Sequence, residues 1–474
     1  MTFQRRSLLP SQPIRRHSSK QFLLALFTGL ALLTTLNVSP VRAYTPDHDD
    51  DATARNVVYV TSNNPNPGQN SVLAYRRDPA NGALTLIGNF LTRGTGVFVA
   101  DEHLGPDDSD QEVIASPDHQ LLFAVNSGSN TIAVFRVNSN ASLTHVNGSP
   151  FPSGGVQPVS LGLVGKRAGE DDDSIAKLYV VNKGNLEPGQ TSGALPNYTG
   201  FRVNRNGHLS PIPHSTVEVV PGSHPTQALI SPNGKLLFGV DLFTFPFPPP
   251  PGFPPFVPPF ASALESFRIQ SNGRLVQGTG TPQGSPFPPP FPPFMLGLQV
   301  HPIQPLLYVG FVVGNVMGTF RYDATGGLTF LNAAPISGLG ICWIEVNRHG
   351  TFAYTSNSTD DSISVFSLAN PYAPVEIQKV DLNGPKEFLC PTPDPCAPVI
   401  FKTTPFQLEL DPTGTFLYVV NHETTLDNTF PQGNALHILR VAPNGTLTET
   451  SDSPVILPQS AVPARAHPKG VVVL

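Results

Sequence analysis

Short apolar runs, with no long helical stripe among them, set the pattern of this chain. A strand-like run carrying an aromatic at one fixed place recurs seven times, at Tyr59, Phe123, Tyr179, Phe238, Tyr308, Tyr354 and Tyr418. Three residues beyond each stands Ser62, Asn126, Asn182, Asp241, Phe311, Asn357 or Asn421. Asn and Asp accept the backbone of a tight turn, so they are expected to end the strand there. A second run follows each of these, anchored by Tyr75, Phe135, Phe201, Phe267, Phe320, Phe366 or Leu439. The next residue is arginine in six of the seven, Ser367 being the exception, and such regularity points to contacts between repeats. A turn glycine (Gly82, Gly207, Gly273, Gly326, Gly445) and a leucine two positions later then signal a hairpin into a further strand. The second unit has Ala141 in the glycine's place, and the sixth, with Pro371 and Pro374, loses this pattern.

Ahead of each aromatic run lies a turn such as Ser231-Pro232-Asn233-Gly234, and ahead of that an alternating segment such as Leu408-Glu409-Leu410. Each unit therefore contains four strands, A to D from the inside outward. A lone four-stranded sheet cannot bury both faces, and seven of them satisfy one another only around a ring. The expected fold is all-β, a seven-bladed β-propeller of four-stranded antiparallel blades. The last residues, 467–474, match the innermost strand at 224–230, whereas the first unit opens at Asn56 directly with its B strand. The C-terminal strand should thus pair into the first blade and remove an open edge.

Composition agrees with many short strands and turns: there are 53 Pro and 41 Gly, and 13% of residues are charged. Arg5, Arg6, Arg15, Arg16 and Lys20 precede an apolar stretch and a small-residue site at Val41-Arg42-Ala43, the layout of a signal peptide over 1–43. Residues 44–55 read as a flexible segment and 56–474 as the propeller. Secretion or a periplasmic location follows, with no membrane span after leader removal and a monomeric state. A net charge of −6 argues against a nucleic-acid partner. Cys390 and Cys396 flank Pro-Thr-Pro-Asp-Pro and could close a small disulfide loop, while Cys342 beside Trp343 reads as core. No motif for a cofactor or a metal ion is present: the Asp clusters lack metal-loop spacing.

Insertions gather on the face where the B–C and D–A connections emerge, the usual place for function on a rigid scaffold. The fourth unit carries a Phe/Pro-rich pair there, with Phe245, Phe247 and Phe253 in one loop and Phe287 and Phe291 in the other. Two roles remain open for it, a hydrophobic lid or docking surface and a cover for one blade edge.

The strings Val58-Tyr59-Val60-Thr61, Ser116-Pro117-Asp118, Asn126-Ser127-Gly128-Ser129-Asn130 and Gly148-Ser149-Pro150-Phe151-Pro152 resemble the lactonase-type seven-bladed propellers. That group includes 6-phosphogluconolactonase-like and carboxymuconate-cyclase-like proteins and shades into YVTN-repeat propellers. The resemblance covers about residues 56–474. It implies hydrolysis or isomerisation of a small sugar or organic-acid lactone, with basic residues near certain A-strand starts and a Glu after one B strand. At the matching A-strand positions stand Gln111, Val159, Thr226, Leu296, Cys342, Phe406 and Lys469, and the Glu position holds Val312. The group's His-x-His survives as His224 alone. Ionisable residues expected near that mouth are Lys183, His224, Asp241, His422 and Lys469. Either histidine could act as base and a lysine could stabilise an oxyanion. The alternative is a non-catalytic propeller that binds a protein or glycan through its loop-rich face.

Overall fold

The computed structural model describes residues 56–98, 109–167, 170, 173–184, 194–244, 260–384, 388–389, 400–401, 403–424, 430–463 and 465–474. The leader and the segment 44–55, Phe245, Phe247, Phe253, Cys390 and Cys396 lie outside them. Seven antiparallel sheets of four strands form the blades, and the described residues contain no α-helix. The innermost A strands, in blade order, are Val471–Val473, Val113–Ala115, Pro158–Gly165, Leu229–Ile230, Met295–Val300, Ile341–Val346 and Thr403–Leu410. The C-terminal strand pairs with Val57–Thr61 in the register Val58 to Val473, Tyr59 to Val472 and Val60 to Val471, so the expected closure is present. It covers the edge of the first blade's B strand, which would otherwise lie open.

The repeated aromatic has a second task beyond filling space. The Tyr59 hydroxyl donates to the Ala141 carbonyl at 2.9 Å, Tyr179 to Gly273 at 2.9 Å, Tyr308 to Pro371 at 2.9 Å and Tyr418 to Gly82 at 2.9 Å. Each bond crosses to the C–D turn of the next blade, so the strand residue and the turn residue are parts of one joint. The turn glycine is needed twice over at Gly82. Its φ is +82°, and a Cβ there would lie 2.6 Å from the Phe416 ring of the seventh blade. Ala141 holds the same left-handed conformation with φ +68°.

The Asn positions after the aromatic are interior joints. Asn126 accepts from Asn70 at 2.9 Å, Asn182 donates to the Ser153 carbonyl at 3.3 Å, and Asn421 donates to Asp361 at 2.9 Å. Each ties its blade to the preceding one, and each side chain is buried. The strands end at Asn126, Asn182, Asp241 and Asn357 as expected, and the buried amides have a second task, because they need partners and the neighbouring blade supplies them. The sixth blade also departs from its sequence pattern. Despite Pro371 and Pro374 it keeps a regular outer strand, Val375–Asp381, because both prolines lie in the preceding turn, where no ladder bond is lost. The arginines reach between blades at Arg76, whose guanidinium donates to the Asn140 carbonyl at 3.3 Å, and Arg440, which donates to the Ala80 carbonyl at 2.9 Å.

Candidate functional site

The A strands leave their inner backbone edge facing a central channel, and an unpaired buried N–H there is costly. Side chains of one blade cap the edge of the next. Gln227 accepts from the Leu298 amide at 2.7 Å and donates to its carbonyl at 2.9 Å. Gln407 accepts from the Val471 amide at 3.3 Å. Glu345 takes the amides of Leu410 and Val346, and Glu409 takes the amide of Val473. Glutamine and glutamate thus perform the same capping task in blades four, six and seven.

One level of the channel follows from the pairing with the repeated aromatics: Val472, Ile114, Gly162, Leu229, Gln299, Glu345 and Glu409 face them across the A–B ladders. Blades one to four therefore present an apolar arc, and blades five to seven a polar one. The arcs enclose a cavity of about 410 Å³ that extends to the turn Ser116, Pro117 and His119 of the second blade. Asp110 joins the polar side, held by the Gln111 amide at 2.8 Å and the Gln227 side chain at 3.0 Å. Gln299 donates to Glu345 at 3.1 Å.

Three carboxyls with no lysine or arginine among the described cavity-lining residues cannot all ionise cheaply. Burial pushes Asp110 up to about 7, with repulsion from Glu112 added. Burial, then repulsion from Asp110, pushes Glu345 up to about 8. Burial raises Glu409 well above the carboxylate range, and the charges of Glu345 and Asp110 act in the same direction. Near neutral pH the site therefore holds one carboxyl close to its midpoint and two that keep their protons. Such a separation is what general acid and base work requires. None of these three residues was expected at a site: Asp110 was read as part of a solvated Asp cluster ahead of its A strand. The signal for Glu345 and Glu409 was the alternating segment of the Leu408-Glu409-Leu410 type, where a polar residue recurs on a strand that closes a ring.

The five residues selected from the sequence are all buried, and none lines this cavity. His422 and Lys469 come together around Phe406, with ring centroids 5.1 Å apart for His422 and the ammonium 5.1 Å above the ring for Lys469. His422 also stacks on His467 at 4.8 Å, His467 meets Phe98 at 5.5 Å, and Phe406 meets Trp343 at 5.4 Å. His224 and Asp241 lie in the fourth blade, where the His224 ring meets Phe243 at 5.7 Å. Lys183 follows the third blade's B strand, Ser174–Asn182, its amide bonded to the Gln157 carbonyl at 3.0 Å. Cys342 and Trp343 are core residues, as the sequence suggested. Phe287 and Phe291 pack against one another, tilted, at 4.2 Å and edge-on against Phe311 of the fifth blade, so part of each ring is covered. Among the described residues no group of three or more His, Cys, Asp and Glu side chains has metal-site spacing. No helix among them is long and apolar enough to cross a membrane.

No protein-family model matches the chain, and no curated protein sequence is similar to it. Solved structures are. The periplasmic gluconolactonase of Pseudomonas aeruginosa aligns at 15% identity over 88% of this chain and 99% of its own, with a TM-score of 0.59. A putative 6-phosphogluconolactonase from Bacteroides fragilis NCTC 9343 aligns at 15% identity over 88% and 97%, with a TM-score of 0.58. A hypothetical selenium-binding protein from Sulfolobus tokodaii aligns at 14% identity over 88% and 93%, with a TM-score of 0.52. The chain has the fold of the lactonase-type seven-bladed propellers.

Proposed function

We propose that this propeller hydrolyses an uncharged, polyhydroxylated lactone in its central channel, outside the cytoplasm. The observation that carries the reading is the set of three carboxyls, Asp110, Glu345 and Glu409, that line a cavity of about 410 Å³, where burial raises all three. Asp110, near its midpoint at neutral pH, can take the proton of an attacking water. Glu345 or Glu409, still protonated, can give one to the departing ring oxygen, which balances the opening of the ester. The amides of Gln111, Gln227, Gln299 and Gln407 suit the hydroxyls of a sugar acid, and the apolar arc suits its C–H face. A phosphorylated lactone fits poorly, since the cavity lining offers carboxyls and no lysine or arginine. The fold shared with a periplasmic gluconolactonase and the leader-like N-terminus support both the chemistry and the location.

Hydrolysis of a neutral aldonolactone by purified protein tests this, with a phosphorylated lactone alongside. Asp110→Asn and Glu345→Gln should each reduce kcat by about 10²–10⁴-fold. Equal rates for variants and parent would remove the channel carboxyls from the chemistry. Background rates from folded parent protein would favour a binding propeller. A rate sensitive instead to His422→Ala or Lys469→Ala would move the chemistry to the loop-rich face.

A further inference from the structure

The seven blades serve as controls for one another, and one interface breaks the repeat at several positions at once. Where other blades carry Ser or Asn (Phe in the fifth) at the end of the B strand, the fourth has Asp241. Two residues earlier it has Gly239, where the others have Val, Ala or Thr. On its C strand Glu265 replaces Leu, Ala, Thr, Gly, Ser or His, and on the third blade Tyr198 replaces an apolar side chain. The changes fit together. A Cβ at position 239 would lie 1.9 Å from the Tyr198 hydroxyl, so the glycine makes room for that oxygen. Gln277 donates to Glu265 at 2.7 Å and fixes the carboxyl in place.

The result is three oxygen-bearing groups buried at one interface between blades. Asp241, Tyr198 and Glu265 are 0%, 0% and 2% exposed. Among the described residues, neither carboxylate oxygen of Asp241 has a hydrogen-bond partner, nor does the Tyr198 hydroxyl. Tyr198 nonetheless feels the charges of both acids, and Asp241 that of Glu265. Glu265 faces Gly239 across the B–C ladder and Asp241 stands two residues along the same face, so both acids flank the place that Gly239 leaves for the Tyr198 hydroxyl. Two buried carboxylates facing each other need something positive between them, and the asparagines of the other blades avoid that need.

We propose that the interface between the third and fourth blades is a binding site for one hard divalent cation, with Asp241, Glu265 and the Tyr198 hydroxyl as ligands. Oxygen donors of this kind suit calcium or magnesium, and water can complete the coordination. The cation would tie the two blades together where their neighbours use amide hydrogen bonds. Gln277 is a positioning residue, acting through Glu265.

Full-length protein stripped with EDTA and dialysed is titrated with CaCl2, and separately with MgCl2, by calorimetry and by thermal melting. One equivalent should bind and raise Tm. Asp241→Asn and Glu265→Gln should abolish both effects, and Gln277→Ala should weaken affinity about 10–100-fold. Terbium luminescence excited through tyrosine should fall in Tyr198→Phe, a variant that keeps the ring and so keeps the fold. Absence of binding, with Asp241→Asn more stable than the parent, would overturn the proposal in favour of a shared proton. Binding that survives in Asp241→Asn, Glu265→Gln and Tyr198→Phe alike would overturn it by placing the ion elsewhere.

Discussion

Glu345→Gln should make the protein more stable at neutral and alkaline pH while removing its activity. The carboxyl caps the Leu410 and Val346 amides and accepts from Gln299, and a glutamine carbonyl can accept from the same donors. Gln227 and Gln407 already cap the edge in this way on other blades. What the substitution removes is the cost of holding a carboxyl among other acids. Raising it from 4.5 to about 8 sets a ceiling of about 5 kcal/mol, at roughly 1.4 kcal/mol per pH unit. The side chain keeps part of its surface on the channel, and solvent screening reduces the expected gain to about 1–3 kcal/mol. The assay is urea unfolding of parent and variant at pH 4, 6 and 8. Below pH 4.5 both forms of the parent are protonated and the two curves should coincide. The gap should open as pH rises and level off above about 8. A constant gap across this range, or a variant less stable at pH 8, would refute the claim that the native carboxyl is held protonated.

Other expectations follow from the same contacts. The parent itself should lose stability as pH rises from about 4 to about 8, because Asp110, Glu345 and Glu409 release protons earlier in the unfolded chain than in the native one; unfolding free energies across that range check the sign. Asp411→Ala should cost about 3–5 kcal/mol in chemical denaturation, since Arg77 lies 3.0 Å from Asp411 with both side chains buried, and the guanidinium would be left without its counter-charge. Tyr179→Phe should cost about 1–3 kcal/mol by leaving the Gly273 carbonyl unpaired. Phe238→Leu, which carries no such bond, separates ring packing from the hydroxyl in the same assay. Removing Val471–Val473 with Leu474 should expose the inner edge of the first blade, read as aggregation in light scattering.

Much of the fold is legible in the sequence. The spacing from Tyr59 to Tyr418, the leucines after the turn glycines and the match of 467–474 to an inner strand specify blades, their number and the closure. Local alternation suffices for this because each strand's burial repeats with period two and each turn needs a particular residue. The sixth blade was harder: Pro371 and Pro374 broke the motif while leaving the outer strand intact, since a motif reports turn chemistry and the ladder does not depend on it.

The candidate site was less legible, for a physical reason. Asp110, Glu345 and Glu409 are far apart in sequence, each reading as an ordinary polar residue beside an A strand, and only closure of the ring brings their charges together. Asp241 did stand out as the single acid in its column, but its partner acid and the Tyr198 hydroxyl come from a different strand and a different blade. His422 and Lys469 were visible as ionisable groups, whereas their packing around Phe406 was not. The sequence by itself determined periodic features: strand count, turn positions and the inner strand donated by the C-terminus. Tertiary structure alone decided which polar residues share a low-dielectric space, because proton affinity and ion binding depend on distances across blades that no local pattern encodes.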